Sequence, residues 1–258
     1  PSADTELLAS LVISSLSEVE SLAVGDAFLE LSLGMEIGNA RASKIDRTSA
    51  FQYNGLSQSI VIIEDTSGGC GGKTWEAADV SCNYLIWKHE QDNHSAFKNK
   101  RILELGSGTG LVGLVLGAIC NPSGAKEIVI TDQLPMLALM ENNITANGLN
   151  GIVSAKILDW GTSLPTWMNE KPDIIIASDC VYLEVAFQPL IDTLFMLSNE
   201  KTEIYLCYKR RRKADKRFFV LARKKFTFTE ACIGRSAPTG LRTTRHTPVL
   251  NEAHCDTN

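Results

Sequence analysis

A glycine-rich segment, ELGSGTG at residues 104–110, follows one short apolar run and precedes another. Its glycines let the backbone turn sharply and bring N–H groups close to a ligand at the start of a helix. A dinucleotide-binding loop would continue with glycine or alanine at position 111, where this chain has Leu111. The Glu104 carboxylate would repel a pyrophosphate and attract an ammonium group. The segment therefore favours S-adenosylmethionine over a nicotinamide dinucleotide, although a turn without a ligand also fits.

Two further positions can complete a nucleoside site. Asp132 ends the next apolar run, EIVITD, and its carboxylate can accept hydrogen bonds from both ribose hydroxyls. An N-cap of the following helix is the alternative for Asp132. Trp160 follows a third run, where its indole can cover an adenine face and Asp159 can accept from the adenine amino group. Ordinary packing is the alternative for Trp160.

An acidic residue and an aromatic residue three positions apart, Asp179 and Tyr182, follow a fourth apolar run. Methyl transfer is an in-line displacement, so an enzyme mainly aligns a neutral nucleophile with the sulfonium. Asp179 can hold the ammonium of an incoming lysine, and Tyr182 can pack on its stem with cation–π attraction. A helix cap and a core tyrosine are the alternatives. Because no histidine lies in a corresponding loop, we predict neither a Cys180 nucleophile nor a metal site.

These segments all follow predicted strands, in a region where strands and helices alternate. Continuous apolar strands indicate burial on both faces, and hence a mostly parallel sheet between helices. Ligands of such sheets bind beyond the carboxyl ends of the strands, where the four segments would meet. The predicted strands are RILEL, EIVITD, IVSAKIL, PDIIIASD and TEIYLCY, and the predicted helices are GLVGLVLGAIC, MLALMENNITAN, FQPLIDTLFMLS and KADKRFFVLARKK.

The N-terminal part is less regular. We interpret residues 1–50, with one amphipathic pattern, as an accessory extension. Residues 59–64 predict a strand that leads into a glycine cluster, TSGGCGG, and residues 76–89 predict a helix.

Composition limits the classes of partner. A net charge of −5 gives no global attraction to nucleic acid or to an anionic membrane. No apolar run approaches the roughly 20 residues of a membrane helix. Seven scattered cysteines without CxxC pairs indicate reduced thiols. We therefore expect a cytoplasmic protein with neither a nucleic-acid nor a membrane partner. We also expect a monomer, although composition does not decide the oligomeric state.

Five segments taken in order carry a family resemblance: GGCGGKTWEAADVSCNYL, RILELGSGTGLVG, ITD, LDW and SDCVYLE. Together they resemble the seven-β-strand protein-lysine methyltransferases of the methyltransferase-like-21 group, and especially the fungal elongation-factor-methylating members. The resemblance covers about residues 51–230, which would form the methyltransferase domain. The resemblance implies a Rossmann-like class I methyltransferase fold, an α/β fold with a mostly parallel seven-stranded sheet. It also implies S-adenosylmethionine as cofactor and, as substrate, a lysine on elongation factor 1-alpha or an Hsp70-type chaperone.

The resemblance also assigns roles to single residues. Asp179 and Tyr182 would form the acidic-x-x-aromatic signature beside the substrate lysine. Because Cys180 and Val181 stand where the Asn/Asp-Pro-Pro-Tyr loop of adenine and glutamine methylation has prolines, a nucleic-acid base is a poorer substrate. The implied cofactor-binding residues are Trp75, Gly106, Ser107, Gly108, Asp132, Trp160 and Ser178, to which the charge argument adds Glu104.

The C-terminal end departs from the family pattern. The family closes its sheet with an antiparallel hairpin, and KKFTFTEA can supply the first strand of that hairpin. Residues 231–258 show no strand alternation, so we interpret them as a divergent tail and leave the final strand open. A small-molecule methyltransferase and a cofactor-binding module without activity remain alternative functions.

Overall fold

The computed structural model describes residues 47–121, 124–209, 215–230 and 249–254, all within one compact unit, Lys44–Asn258. The predicted accessory extension up to residue 46 lies outside the described residues, as do residues 231–248 and 255–258 of the predicted tail. The strands are β1 (Arg47–Phe51), β2 (Ile60–Glu64), β3 (Arg101–Leu105), β4 (Glu127–Asp132), β5 (Val153–Ile157), β6 (Ile174–Ser178), β7 (Glu203–Tyr208), β8 (Thr227–Glu230) and β9 (Val249–His254). The longer helices are α1 (Glu76–Gln91), α2 (Leu111–Cys120), α3 (Leu137–Ala146), α4 (Phe187–Leu197) and α5 (Asp215–Ala222).

Seven strands form the central sheet in the order β5-β4-β3-β6-β7-β9-β8, and every neighbouring pair is parallel. The chain builds outward from β3 on one side and from β6 on the other, so the strand order reverses between these two strands. Such a reversal leaves a crevice at the carboxyl ends of the strands, where doubly wound sheets bind ligands. The predicted Rossmann-like sheet is confirmed.

The central strands are apolar throughout because both of their faces are covered. Successive side chains of a strand point to opposite sides, so Ile174 and Ile176 of β6 join one core while Ile175 and Ala177 join the other. Helices α1, α2 and α3 cover the first face, and α4 and α5 cover the second. The first core includes Leu85, Leu114, Val115, Met140 and Ile144, and the second includes Phe187, Leu190, Leu194 and Phe218.

Strands β1 and β2 form a separate antiparallel hairpin, of which the sequence pattern predicts only β2. The second edge of β2 is paired by two side chains of helix α3. Asn143 accepts a hydrogen bond from the Ile63 N–H (2.8 Å) and donates one to the Ile63 carbonyl (3.0 Å). Asn147 does the same with Val61, at 2.8 and 2.7 Å. The hairpin is thereby joined to the sheet domain without a third strand.

The end of the sheet corrects the sequence-based expectation. Strand β8 lies in KKFTFTEA as predicted, but β9 forms where the pattern indicated no strand. It lies between β7 and β8 and is parallel to both, instead of closing an antiparallel hairpin. A strand between two partners is held by backbone hydrogen bonds on both edges. These bonds do not depend on the side chains, so a strand of this kind can form without an alternating sequence pattern.

Candidate active site

The glycine turn (residues 106–110) connects β3 to α2 at the reversal of strand order. Gly106, Gly108 and Gly110 have φ values of +60°, +54° and +83°, in the left-handed region that glycine adopts without strain. Ser107 fixes the turn to β4, since its N–H donates to the Thr131 carbonyl (2.9 Å) and its hydroxyl accepts from the Thr131 N–H (3.0 Å). The turn is therefore held by the neighbouring strand as well as by its own conformation.

Gly106 lies in the most crowded part of the turn. A Cβ atom at this position would be 2.9 Å from the Cys180 sulfur and 2.9 Å from the Trp160 ring. The loops that follow β3, β5 and β6 therefore meet at Gly106. This contact brings Trp160, which was predicted beside the adenine, to the turn predicted to hold the cofactor.

Glu104 lies beneath the turn, on the face of β3 that α2 covers. Its Oε2 atom accepts a hydrogen bond from the Gly113 N–H (2.9 Å), and the residue is only 3% exposed. Burial raises the pKa of Glu104 to about 8, against the opposing effects of the Gly113 and Ser107 hydrogen bonds. At neutral pH the carboxyl group is therefore mainly protonated in the absence of a nearby cation.

Asp132 braces the turn from the end of β4. One carboxylate oxygen accepts from the Gly108 N–H (2.8 Å) and the other from the Gln133 N–H (2.7 Å). Burial raises the pKa of Asp132 above its ordinary value. Asp132 is not the N-cap of a helix, because Gln133 occupies the N-cap position of the next short 3-10 turn and Met136 that of α3. The alternative of a simple helix cap is therefore not observed.

The loop after β6 carries the predicted lysine-facing residues. Asp179 is 9% exposed and adopts a left-handed φ of +58°, with its N–H donating to the Cys207 carbonyl (2.7 Å). It does not cap a helix, because the following 3-10 turn begins after Leu183. Ser178, one residue earlier, lies 2.7 Å from the Ser81 hydroxyl of α1.

Tyr182 lies at the rim and is 38% exposed, so the alternative of a core tyrosine is not observed. Partial burial and the nearby Cys70 raise the pKa of Tyr182, so its phenol stays neutral at physiological pH. Burial also raises the pKa of the Cys180 thiol well above its ordinary value. Neither group is suited to act as an anionic nucleophile or base.

Trp75 approaches from the N-terminal side, at the end of what we call the cover segment (residues 65–75). Its indole N–H donates to the Cys70 carbonyl (3.0 Å), and 37% of the residue is exposed. The segment touches the glycine turn directly: the Gly71 carbonyl would be 2.6 Å from a Cβ at Gly108. The Thr74 and Thr109 hydroxyls lie 3.1 Å apart.

The structure thus places all ten predicted site residues at or just below the carboxyl edge of the sheet. Sequence reasoning missed Thr74 and Thr109, which join the cover segment to the turn, and Asn143, which joins β2 to the turn. Thr74 and Thr109 lie within segments that the sequence analysis quotes but received no role there, and Asn143 appears in the sequence only as a polar position in a helix. A cavity of 180 Å³ at the opposite edge, lined by Arg101, Trp167 and other residues, contains none of the predicted site residues.

Two searches for other kinds of site concern only the part of the chain that the structure describes. No group of three or more His, Cys, Asp or Glu residues there is arranged to hold a metal ion. None of the helices described has the length and apolar character required to cross a membrane.

Known proteins with similar sequences identify the family. A family model described as "Lysine methyltransferase" matches residues 56–225. Protein-lysine N-methyltransferase EFM6 of Saccharomyces cerevisiae is 35% identical over 68% of this chain and 78% of its own length. Protein N-lysine methyltransferase METTL21A of Danio rerio is 33% identical over 73% of this chain and 83% of its own. EEF1A lysine methyltransferase 3 of Xenopus tropicalis is 27% identical over 69% of this chain and 75% of its own length. The predicted enzyme class is confirmed, and this chain belongs to the lysine methyltransferase family.

Proposed function

We propose that the protein transfers a methyl group from S-adenosylmethionine to the side-chain amine of a lysine on a folded protein. The observation that carries the proposal is the meeting of three loops at Gly106, where the turn after β3 contacts the residues after β5 and β6. A cofactor on the turn would lie beside Asp179 and Tyr182. Family membership supports the reaction class, and the contact among these three loops supports the location of the reaction.

The turn and its surroundings suit the separate parts of S-adenosylmethionine. The backbone N–H groups of the turn and Glu104 would receive the methionine moiety, and a bound ammonium group would favour the ionised form of Glu104. Asp132 would accept from the ribose hydroxyls, and Trp160 would flank the adenine. Trp75 and Ser178 would complete the walls. When bound, the cofactor supplies an electrophilic methyl group on a sulfonium.

The loop after β6 would prepare the lysine. Asp179 would hold the incoming ammonium close to the turn, and Tyr182 would pack on the aliphatic stem. The lysine ammonium would first release a proton to solvent, which would expose the nitrogen lone pair. The nitrogen would then accept the methyl group that the bound cofactor supplies, and the electron pair of the C–S bond would remain on sulfur. Because the Tyr182 phenol stays neutral, its contribution is packing and orientation.

The exposed rim favours a large substrate over a small one. Trp75 and Tyr182 are both more than one-third exposed, so the rim is accessible to the surface of another protein. One relative is named as a methyltransferase of EEF1A lysine. We therefore propose elongation factor 1-alpha or an Hsp70-type chaperone as the substrate, and a monomeric enzyme acting in the cytoplasm.

The direct test mixes the protein with purified elongation factor 1-alpha or Hsp70-type chaperone and methyl-labelled S-adenosylmethionine. We expect label on a lysine of one of these proteins, located by mass spectrometry. Label only on a small molecule or RNA would overturn the substrate class, and cofactor binding without any turnover would support a non-catalytic module.

Variants at the rim test the assigned roles. We expect Asp179→Ala and Tyr182→Ala to lower kcat/KM at least about a hundredfold, which corresponds to about 2.7 kcal/mol of transition-state stabilisation. Tyr182→Phe is the matched control, because it keeps the ring and loses only the hydroxyl. Equal losses in the Phe and Ala variants would contradict a packing role for Tyr182.

A further inference from the structure

The pairing of β2 with α3 rests on a match between two spacings. Four residues of an α-helix rise about 6 Å, and two residues of a strand advance about 6.6 Å. Asn143 and Asn147 are four apart on α3, and their partners Ile63 and Val61 are two apart on β2. Each amide therefore meets one backbone N–H and one backbone carbonyl, as a neighbouring strand would.

Only one of the two asparagines also reaches the glycine turn. The amide nitrogen of Asn143 donates to the Thr109 carbonyl at 2.9 Å, and Asn143 is fully buried. The amide nitrogen of Asn147 donates instead to the Asn143 carbonyl of its own helix, at 2.7 Å. The two residues thus have equivalent bonds to β2 but different third partners.

The hydrogen bonds of Asn143 belong to a closed circuit. Glu64, which follows Ile63, accepts from the Thr74 N–H of the cover segment at 2.7 Å. The Thr74 hydroxyl lies 3.1 Å from the Thr109 hydroxyl, and the Thr109 carbonyl accepts from Asn143. The circuit runs from the helix to the hairpin, to the cover segment, to the turn and back to the helix.

We propose that Asn143 is a positioning residue that holds the cover segment and the glycine turn in register, and thereby sets the affinity for the cofactor. A buried amide with every polar atom bonded has one low-energy orientation. The Asn143 amide therefore fixes the distance between the Ile63 backbone and the Thr109 carbonyl. The effect on affinity rests on the proposed function, whereas the mechanical link between segment and turn does not.

Amide hydrogen exchange of the protein without cofactor tests the link. Asn143→Ala and Asn147→Ala each remove two bonds to β2, so Asn143→Ala should speed exchange at Ile63 and Asn147→Ala should speed exchange at Val61. Only Asn143→Ala should also speed exchange at Thr74, Gly108 and Gly110, by about tenfold or more, because the Thr74 amide lies on the circuit and the two glycines flank Thr109, which Asn143 holds. Equal effects of the two variants at Thr74 and in the turn would overturn the proposal.

Calorimetry with S-adenosylmethionine tests the consequence. Asn143→Ala should weaken binding about tenfold, the effect of losing 1.4 kcal/mol, while Asn147→Ala should change it less than about twofold. The KM for the cofactor should rise for Asn143→Ala, with kcat at saturating cofactor within about twofold of the unaltered protein. Equal affinities in the two variants would overturn the inference and leave the proposed function standing.

Two further outcomes remain distinguishable. If the unaltered protein binds no S-adenosylmethionine, the proposed function fails, and the exchange experiment still decides the link. If Asn143→Ala does not fold, Thr74→Val takes its place, since it removes only the hydroxyl contact with Thr109 and keeps the side-chain shape. Faster exchange at Gly108 and Gly110 in Thr74→Val would support the circuit, and unchanged exchange would overturn it.

Discussion

Two carboxyl groups beside the glycine turn, the buried Glu104 and the half-buried Asp132, are each subject to opposing effects of burial and hydrogen bonding. Burial raises the pKa of both Glu104 and Asp132, while the Gly113 and Gly108 N–H groups act in the opposite direction. For Glu104 burial has the larger effect, and the neighbouring Asp132 carboxylate raises the pKa further. A cationic ligand would reverse that balance, so binding it below about pH 8 would release a proton.

The raised pKa of Glu104 predicts a specific pH dependence of stability. The folded protein keeps a proton at Glu104 up to about pH 8, whereas the unfolded chain releases it near 4.5. Stability from this group is therefore complete below about 4.5 and is lost as pH rises to about 8, with a slope approaching about 1.4 kcal/mol per pH unit. Glu104→Gln should remove this contribution, as measured by urea denaturation at several pH values.

The control for Glu104→Gln is Glu141→Gln, an exposed position on α3. It makes the same chemical change without burial and should leave the pH profile of the unaltered protein in place. A Glu104→Gln profile parallel to that of the unaltered protein would show that Glu104 titrates normally.

The crowding at Gly106 predicts that a substitution there lowers the affinity for the cofactor, an effect that backbone strain alone would not produce. Gly106→Ala adds a methyl 2.9 Å from the Cys180 sulfur and Trp160 ring, at a φ of +60°. Gly148→Ala introduces alanine at a similar φ of +65° with nothing within 4 Å. Both should lose about 1–2 kcal/mol of stability from the left-handed conformation. Only Gly106→Ala should also weaken binding of S-adenosylmethionine, by more than about tenfold, in calorimetry. Equal affinities would mean that the three-loop contact does not shape the cofactor site.

At the scale of elements, α2 packs unusually close to the sheet because glycines face it. A Cβ on Gly113 would lie 2.0 Å from Ile130, and one on Gly117 would lie 2.5 Å from Val153. This close approach lets the Gly113 N–H reach Glu104 in β3. The glycines of α2 therefore serve packing, although glycine weakens a helix.

Propensity and packing make opposite predictions for Gly113→Ala. Helix propensity alone would stabilise the variant by about 1 kcal/mol. We expect a net destabilisation of about 1–3 kcal/mol, because the methyl group overlaps Ile130 and the core is already filled. Urea denaturation measures the change. The double variant Gly113→Ala/Ile130→Ala should lose less stability than the sum of the losses in the two single variants, since the shorter side chain at position 130 makes room for the new methyl group. A more stable Gly113→Ala protein would show that α2 can shift away from the sheet.

Elements differed in how well the sequence predicts them, for physical reasons. β3, β4 and β6 are apolar runs bounded by turn residues. They can be predicted because burial on both faces requires apolar residues at successive positions. β1 has no buried residue that would give it an apolar pattern, and β9 depends on backbone pairing with β7, which is distant in the chain. In the site, the glycine turn, Asp132 and the loop after β6 follow from local motifs. The contact between Asn143 and Ile63 does not, because it joins residues 80 positions apart and uses a common side chain.

The whole molecule depends on the last described strand, because β9 lies between β7 and β8. A chain ending at residue 248 would leave β7, whose residues are mostly buried, as an unpaired edge of the sheet. We expect this truncation to lower the Tm by about 10 °C, or roughly 3–4 kcal/mol, and to promote aggregation. Thermal unfolding and light scattering measure both effects.

A chain ending at residue 254 is the matched control, since it keeps β9 and removes only the residues that follow. Its Tm should equal that of the full chain within about 2 °C. A truncation at residue 248 that melts at the same temperature would contradict the placement of β9 within the sheet.

The docking of the hairpin on α3 has a consequence for the order of folding. A two-stranded hairpin is marginal by itself, and β2 gains its second edge only when α3, 80 positions later in the chain, has formed. Contacts of such long sequence separation carry a high loop-closure entropy and tend to form late. We therefore expect the hairpin and cover segment to assemble last and to form the cooperative unit with the lowest free energy of opening. Ligand exchange could then proceed by partial unfolding of this unit while the sheet stays intact.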